Sequence, residues 1–257
     1  MNTVKVFFRT ILRLIIRFLR QQTYKNFRTI KSKQRLLGTI WVEANKIRIN
    51  DLINFIGRDQ ILFEESQNFE KRFKLIKKDL IKNLPISGGL KGSSGGGGDN
   101  IFILYYIVRF FKPEVVLESG VSAGTSSGTI VHALDKNNKG ILYSSDLPML
   151  LDEKDIGILV PNELKYRWKL FTKGDSINLP LILNNIKKID LVYYDSDKSY
   201  LAKEFFIEKI LKNFDPKVII IDDIDRDYWF RDFIKKRKNK YNYYVASNVG
   251  FLLNKFN

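Results

Sequence analysis

The order of short β-branched runs along the second half of this chain constrains its fold more than any other feature. Val115 to Leu117, Gly140 to Ser144, Leu170 to Lys173, Ile189 to Tyr194 and Val218 to Ile221 are separated by stretches of helical pattern, and Tyr243 to Ala246 and Gly250 to Leu253 follow. Strands joined through helices pair in parallel and are buried on both faces, so they read as continuous apolar runs. The last two runs lie only a few residues apart, too few for a crossover, and predict an antiparallel hairpin. The expectation is an α/β, doubly wound, mostly parallel seven-stranded sheet with a terminal antiparallel strand and an N-terminal helical extension.

Composition narrows the chemistry. With 44% apolar and 28% charged residues in 257, the chain is globular. It has no cysteine and only His132 as histidine, which excludes disulfides, thiolate nucleophiles, cysteine-type zinc sites, iron–sulfur clusters and paired histidine acid/base groups. His132 lies on a helix near Val131 and Leu134 and reads as structural. The net charge of +16 is uneven: the first 50 residues hold twelve Lys and Arg against Glu43 alone, whereas residues 101 to 200 are balanced. The sheet region is therefore not a basic surface. Chemistry here falls to carboxylates, Lys, Tyr, Ser, Thr, backbone amides and a borrowed cofactor.

Residues 1–21 form the first unit. Lys5, Arg9, Arg13 and Arg17 recur every fourth position among Phe7, Phe8, Ile11, Leu12, Leu14, Ile15, Phe18 and Leu19, which gives a basic stripe on an apolar helix. Four cations within the run disfavour a span of the bilayer. The helix either lies in the headgroup layer of an anionic membrane or packs on its own domain or a twin subunit; a transit peptide is a further reading. The matching location is the cytoplasm, peripheral on the inner membrane face. Residues 22–87 read as a helical cap or extension, with helices at Trp41 to Ile56 and Phe63 to Asn83. Seven of the sixteen glycines fall between Gly88 and Gly98, a composition that suits a flexible linker or a loop whose bare amides approach an anion. Residues 88–257 make the last unit, and Asp99 or Asn100 suits the N-cap of a helix from Ile101 to Phe111.

In parallel sheets ligands sit beyond the carboxyl ends of the strands, so the residues after each run carry the functional argument. The first run leads into Glu118-Ser119-Gly120-Val121-Ser122-Ala123-Gly124-Thr125-Ser126-Ser127, a glycine turn opening a helix whose free amides suit a carboxylate or phosphate. Asp146 follows the second run and is placed to accept ribose hydroxyls. Gly174-Asp175 follows the third, Asp195-Ser196-Asp197-Lys198-Ser199-Tyr200 the fourth, and Asp222-Asp223 the fifth. Surface turns would not place acids so regularly at five strand ends.

These residues resemble the class I S-adenosylmethionine-dependent methyltransferases, a Rossmann-like family, over roughly Gly95 to Leu253. The likeness is greatest to a bacterial subgroup met among surface-polysaccharide and glycan genes, which carries a similar glycine run and the strand-end pattern D-S/G-D-H-S-Y; here Lys198 stands in place of His. The resemblance implies S-adenosylmethionine as cofactor, held by Gly98, Glu118, Gly120, Val121, Ser122, Gly124, Thr125, Ser126, Asp146, Leu147, Gly174, Asp175 and Asp195. A more distant likeness to catechol-type O-methyltransferases implies Mg²⁺ on Asp195, Asp222 and Asp223, with Lys198 as base and Asp195 and Asp197 beside it. Under the bland alternative, Asp222 or Asp223 caps a turn and Lys198 neutralises Asp197. Asp225, Arg226, Asp227, Tyr228, Trp229 and Arg231 are candidates to line an acceptor pocket, although Trp229 and Phe230 also suit the core.

The leading expectation is an enzyme that O-methylates a small-molecule acceptor, a saccharide or glycolipid hydroxyl at a membrane surface. A homo-oligomer is compatible with it. An RNA methyltransferase would use the basic ends, but the fourth strand end lacks the N/D-P-P-Y/F pattern and the chain lacks the cysteine of the covalent pyrimidine mechanism, so nucleic acid is not the expected partner. A catalytically silent membrane-bound scaffold of the same fold is the third reading.

Overall fold

The computed structural model describes residues 30–82, 100–148 and 153–256. The helix expected within residues 1–21 and the glycine run 88–98, Gly98 included, lie outside the described residues. Three helices come first: α1 (Ile30–Asn45), α2 (Ile49–Ile56) and α3 (Gln60–Lys82). Next are α4 (Ile101–Phe111), β1 (Val115–Ser119), α5 (Thr125–Lys136) and β2 (Ile141–Ser145). Two 3₁₀ turns, Glu153–Asp155 and Asn162–Arg167, lead into β3 (Trp168–Phe171), followed by α6 (Asp175–Asn185), β4 (Leu191–Tyr194), α7 (Tyr200–Leu211) and β5 (Val218–Ile221). The chain closes with α8 (Trp229–Arg237), β6 (Tyr241–Ala246) and β7 (Val249–Asn254).

The seven strands form one sheet in the order β3-β2-β1-β4-β5-β7-β6. All neighbouring pairs among the first five strands are parallel, and β7 runs antiparallel to both β5 and β6. The antiparallel strand is thus last in the chain but inside the sheet. Strand residues alternate between two cores. Val116, Leu191, Tyr193, Val218 and Ile220 face one with α4 and α5; Leu117, Val192, Tyr194, Ile219 and Ile221 face the other with α6, α7 and α8. Helices on both faces explain why β4 and β5 are apolar or aromatic throughout.

The N-terminal helices share these cores. Val42 of α1 is buried in the second cluster, while Leu52, Ile53, Leu62, Phe69 and Phe73 are buried in the first. Trp41 to Ile56 is not one helix as the sequence predicts. It breaks at Lys46–Arg48, where the Ile47 amide donates to the Val245 carbonyl of β6 (2.8 Å), and Phe55 stacks on Tyr244. Strand bounds shift by up to two residues: β3 begins at Trp168 and β6 at Tyr241, each two residues early, β4 begins at Leu191, two residues late, and β1 runs on to Ser119, which takes Glu118 into the strand. His132 is structural, with Nδ1 on the Gly128 carbonyl (2.7 Å) and its ring against Phe69 and Phe73.

Candidate active site

The turn after β1 is held from both sides. Gly120 has φ +91, and a Cβ there would lie 2.6 Å from the Asp195 carbonyl oxygen, so the loop passes the β4 end at a distance only glycine permits. Ser122 adopts φ +51, and its buried Oγ has no hydrogen-bond partner among the described residues. Asp146, directly after β2, accepts the amides of Val121 (2.7 Å) and Ser122 (2.6 Å) with Oδ2 and that of Leu147 (2.6 Å) with Oδ1. Gly174 donates its amide to the Asp146 carbonyl (2.9 Å) and leads into α6, where Asp175 accepts the hydroxyls of Ser119 and Ser145 (2.6 Å each). Burial pushes the Asp175 carboxyl up, against the pull of those hydroxyls.

Glu118 sits deeper. Inside β1 and wholly buried, it accepts hydroxyls from Ser126 on Oε1 and from Ser127 and Ser144 on Oε2, all at 2.6 Å. Its carboxyl is pushed up to about 7, burial outweighing three donated hydrogen bonds. Ser126 and Ser127 lie in the first turn of α5, so Glu118 braces the glycine turn and the start of that helix from below, and the Ser126 hydroxyl is spent on it. Asn178 was not anticipated. Buried in α6, its amide nitrogen donates to the carbonyls of Phe171 (2.9 Å) and Asp146 (3.3 Å) and to Ser145 Oγ (3.0 Å), pinning the ends of β2 and β3 together. No local signal separates it from an ordinary helical asparagine.

The second half of the site lies at the ends of β4 and β5. The Asp195 amide donates to the Ser119 carbonyl (2.8 Å), locking it beside the glycine turn. The Lys198 ammonium contacts Asp195 Oδ1, donates to the Asp195 carbonyl (2.8 Å), and stands 3.6 Å from Asp223 Oδ2. Asp222 accepts the Asp223 amide with Oδ1 (2.7 Å); its Oδ2 meets Asn100 Nδ2 (3.3 Å) and the Tyr193 hydroxyl (3.4 Å). Burial, then the nearby Asp195 and Asp223 charges, push the Asp222 carboxyl up to about 7. Asp223 turns the chain out of β5 in the left-handed region (φ +52), which aspartate adopts more readily than most side chains. Asn100 therefore spends its side chain on Asp222 and makes no cap bond to α4.

No protein-family model matches the sequence, and no curated protein matches it. Solved structures do match. An O-methyltransferase from Bacillus cereus in complex with SAH aligns with 82% of this chain and 99% of its own, at 17% identity and a TM-score of 0.50. An SAH-bound methyltransferase of Podospora anserina (84% and 92% covered, 14% identity, TM-score 0.46) and the O-methyltransferase TomG from Streptomyces achromogenes, in complex with SAM (88% and 99%, 12%, 0.48), also match. The chain has the class I methyltransferase fold.

Within this methyltransferase fold, Gly120, Val121, Ser122, Gly124, Asp146, Leu147, Gly174, Asp175 and Asp195 come together around the ends of β1 to β4, and Thr125 is buried at the start of α5. Asp197 does not join them: it is exposed and accepts the Ser199 amide (2.8 Å) in the turn entering α7. The Mg²⁺ set expected of Asp195, Asp222 and Asp223 does not fit as arranged. Lys198 already contacts the first and last, both Asp222 oxygens have donors, and among the described residues no group of three or more acids or histidines is disposed to hold a metal. Of the acceptor-side candidates, Trp229 and Phe230 are core. Asp227 caps Trp229 with Oδ1 (2.8 Å) and pairs through Oδ2 (3.3 Å) with Lys203, which is fully buried and also donates to the Lys198 carbonyl (3.0 Å). Sequence reasoning missed Lys203 because a helical lysine ordinarily faces solvent. Among the described residues no helix is long and apolar enough to cross a membrane.

Proposed function

We propose that this protein is an S-adenosylmethionine-dependent O-methyltransferase. The observation that carries the reading is the contact of the Asp146 carboxylate with the Val121 and Ser122 amides of the glycine turn. The contact fixes an acid suited to ribose hydroxyls against the glycine turn that opens α5. The Ser122 Oγ in the same turn, without a partner among the described residues, and the nearby Asp175 suit a polar ligand that bears positive charge. Gly120, Val121, Ser122, Gly124, Asp146, Leu147, Gly174, Asp175 and Asp195 would hold the cofactor. S-Adenosylmethionine supplies a methyl group whose transfer to a hydroxyl oxygen breaks the carbon–sulfur bond.

What remains for the chain is to position the acceptor and take its proton. Lys198 would act as base only after giving up its contacts with Asp195 and Asp223. A saccharide or glycolipid acceptor rests on the sequence resemblance, and placement at a membrane surface rests on the basic helix expected in residues 1–21. Titration calorimetry with S-adenosylhomocysteine tests the core of the reading. Binding in the micromolar range, weakened at least tenfold in Asp146→Asn, is expected; no binding by the native chain up to millimolar ligand sinks it.

A further inference from the structure

At the ends of β4 and β5 three carboxylates converge, Asp195, Asp222 and Asp223, and the charge opposing them is supplied by the chain. Lys198 reaches back from the turn after β4, bonds the Asp195 carbonyl and side chain, and faces Asp223 across 3.6 Å. Its side chain is about a third exposed (31%), against 14% for Asp195 and 24% for Asp223, so the ammonium sits over the carboxylates and not among the surface lysines. Its backbone is fixed as well. The Lys198 carbonyl accepts Lys203 Nζ, and Lys203 is anchored on Asp227 in the loop beyond β5. Like charges packed this closely cannot all ionise without a counter-ion, and a hard divalent ion would need the oxygens that Lys198 now contacts.

The geometry points to Lys198 as a resident cation of the site: a tethered ammonium that stands where a divalent ion would otherwise bridge Asp195 and Asp223. Lys203 is a positioning residue for it, acting through the Lys198 carbonyl. The inference gives meaning to the methyltransferase site and rests on that reading, but its test needs neither cofactor nor acceptor. A tethered ion needs no metal in the medium and cannot be stripped by a chelator. It also occupies the oxygens, so the native site excludes a diffusible ion while a site without the ammonium admits one.

The test is Mn²⁺ binding to the full chain, followed by electron paramagnetic resonance and calorimetry, in the native protein, Asp223→Asn, Lys198→Ala and Lys198→Ala/Asp223→Asn. The native chain is expected to show no stoichiometric Mn²⁺ site below millimolar concentration. Lys198→Ala is expected to gain one site, at least tenfold tighter than any native binding, and the double variant to lose it. Lys198→Met, which keeps the length of the side chain, serves in case the alanine variant does not fold. Stoichiometric Mn²⁺ binding by the native chain that disappears in Asp223→Asn overturns the inference, because the acids would then be a metal site from which lysine yields. Absence of binding in every folded variant overturns it equally, since the cluster would then be no cation site. Failure of S-adenosylhomocysteine to bind leaves this result unchanged, so the two readings fail separately.

Discussion

Glu118 offers a direct measure of how the floor of the site is held. Its carboxyl moves from the ordinary 4.5 to about 7, because burial costs the ionised form more than Ser126, Ser127 and Ser144 return. One unit is worth about 1.4 kcal/mol, so a shift of this size corresponds to about 3 kcal/mol. The folded state keeps the proton to a higher pH than the unfolded chain. The contribution is therefore fully present below pH 4.5 and is lost as pH rises through 7. Glu118→Gln keeps the shape of the neutral acid and cannot ionise. Urea unfolding of native protein and variant between pH 4 and pH 8 is the assay. The difference in unfolding free energy should move by about 3 kcal/mol in the variant's favour across that range, with little difference at the acid end. Subtraction removes the titration common to both proteins. Parallel profiles would show that Glu118 binds its proton equally in the folded and unfolded chain and that the argument from burial is wrong.

Two further perturbations test how the loops are held. Lys203→Met leaves Asp227 buried without its partner and should cost about 3–5 kcal/mol, whereas adding Asp227→Asn, which keeps the cap on Trp229, should recover much of that loss in the same urea assay; equal losses would remove the ion pair from the account. At Gly38 in α1 an added Cβ would lie 2.6 Å from the Asp225 carbonyl oxygen and 2.7 Å from that of Asp227. Gly38→Ala should therefore destabilise by about 1–3 kcal/mol through overpacking, and a rise in melting temperature, the usual result of glycine to alanine in a helix, would contradict the close approach.

The fold was legible wherever a run was long, apolar and bounded by turns. Val218 to Ile221 matches β5 residue for residue, and the closing hairpin is where the spacing places it. Errors arose where tertiary partners override local pattern. Lys46-Ile47-Arg48 contains no glycine or proline, and the helix breaks there because the Ile47 amide reaches β6. Asn100 has the chemistry of a cap, but its side chain finds Asp222 across 122 positions of sequence. Acids at strand ends were the candidates the sequence offered, and spacing does not reveal their partners: three serine hydroxyls on Glu118, one lysine over Asp195, and an amide in the next turn on Asp197.

The bond between Ile47 and Val245 bears on how this chain tolerates being cut. β6 is the outermost strand on its side of the sheet, and the segment joining α1 to α2 lies along it, with Phe55 over Tyr244. A fragment trimmed to the sheet and its helices would keep every strand-end acid and still present the bare amides and carbonyls of β6 to the next molecule. Such a truncation would fail by self-association before any loss of chemistry became measurable. The segment ahead of the sheet thus covers part of an open edge as well as filling the core beneath it.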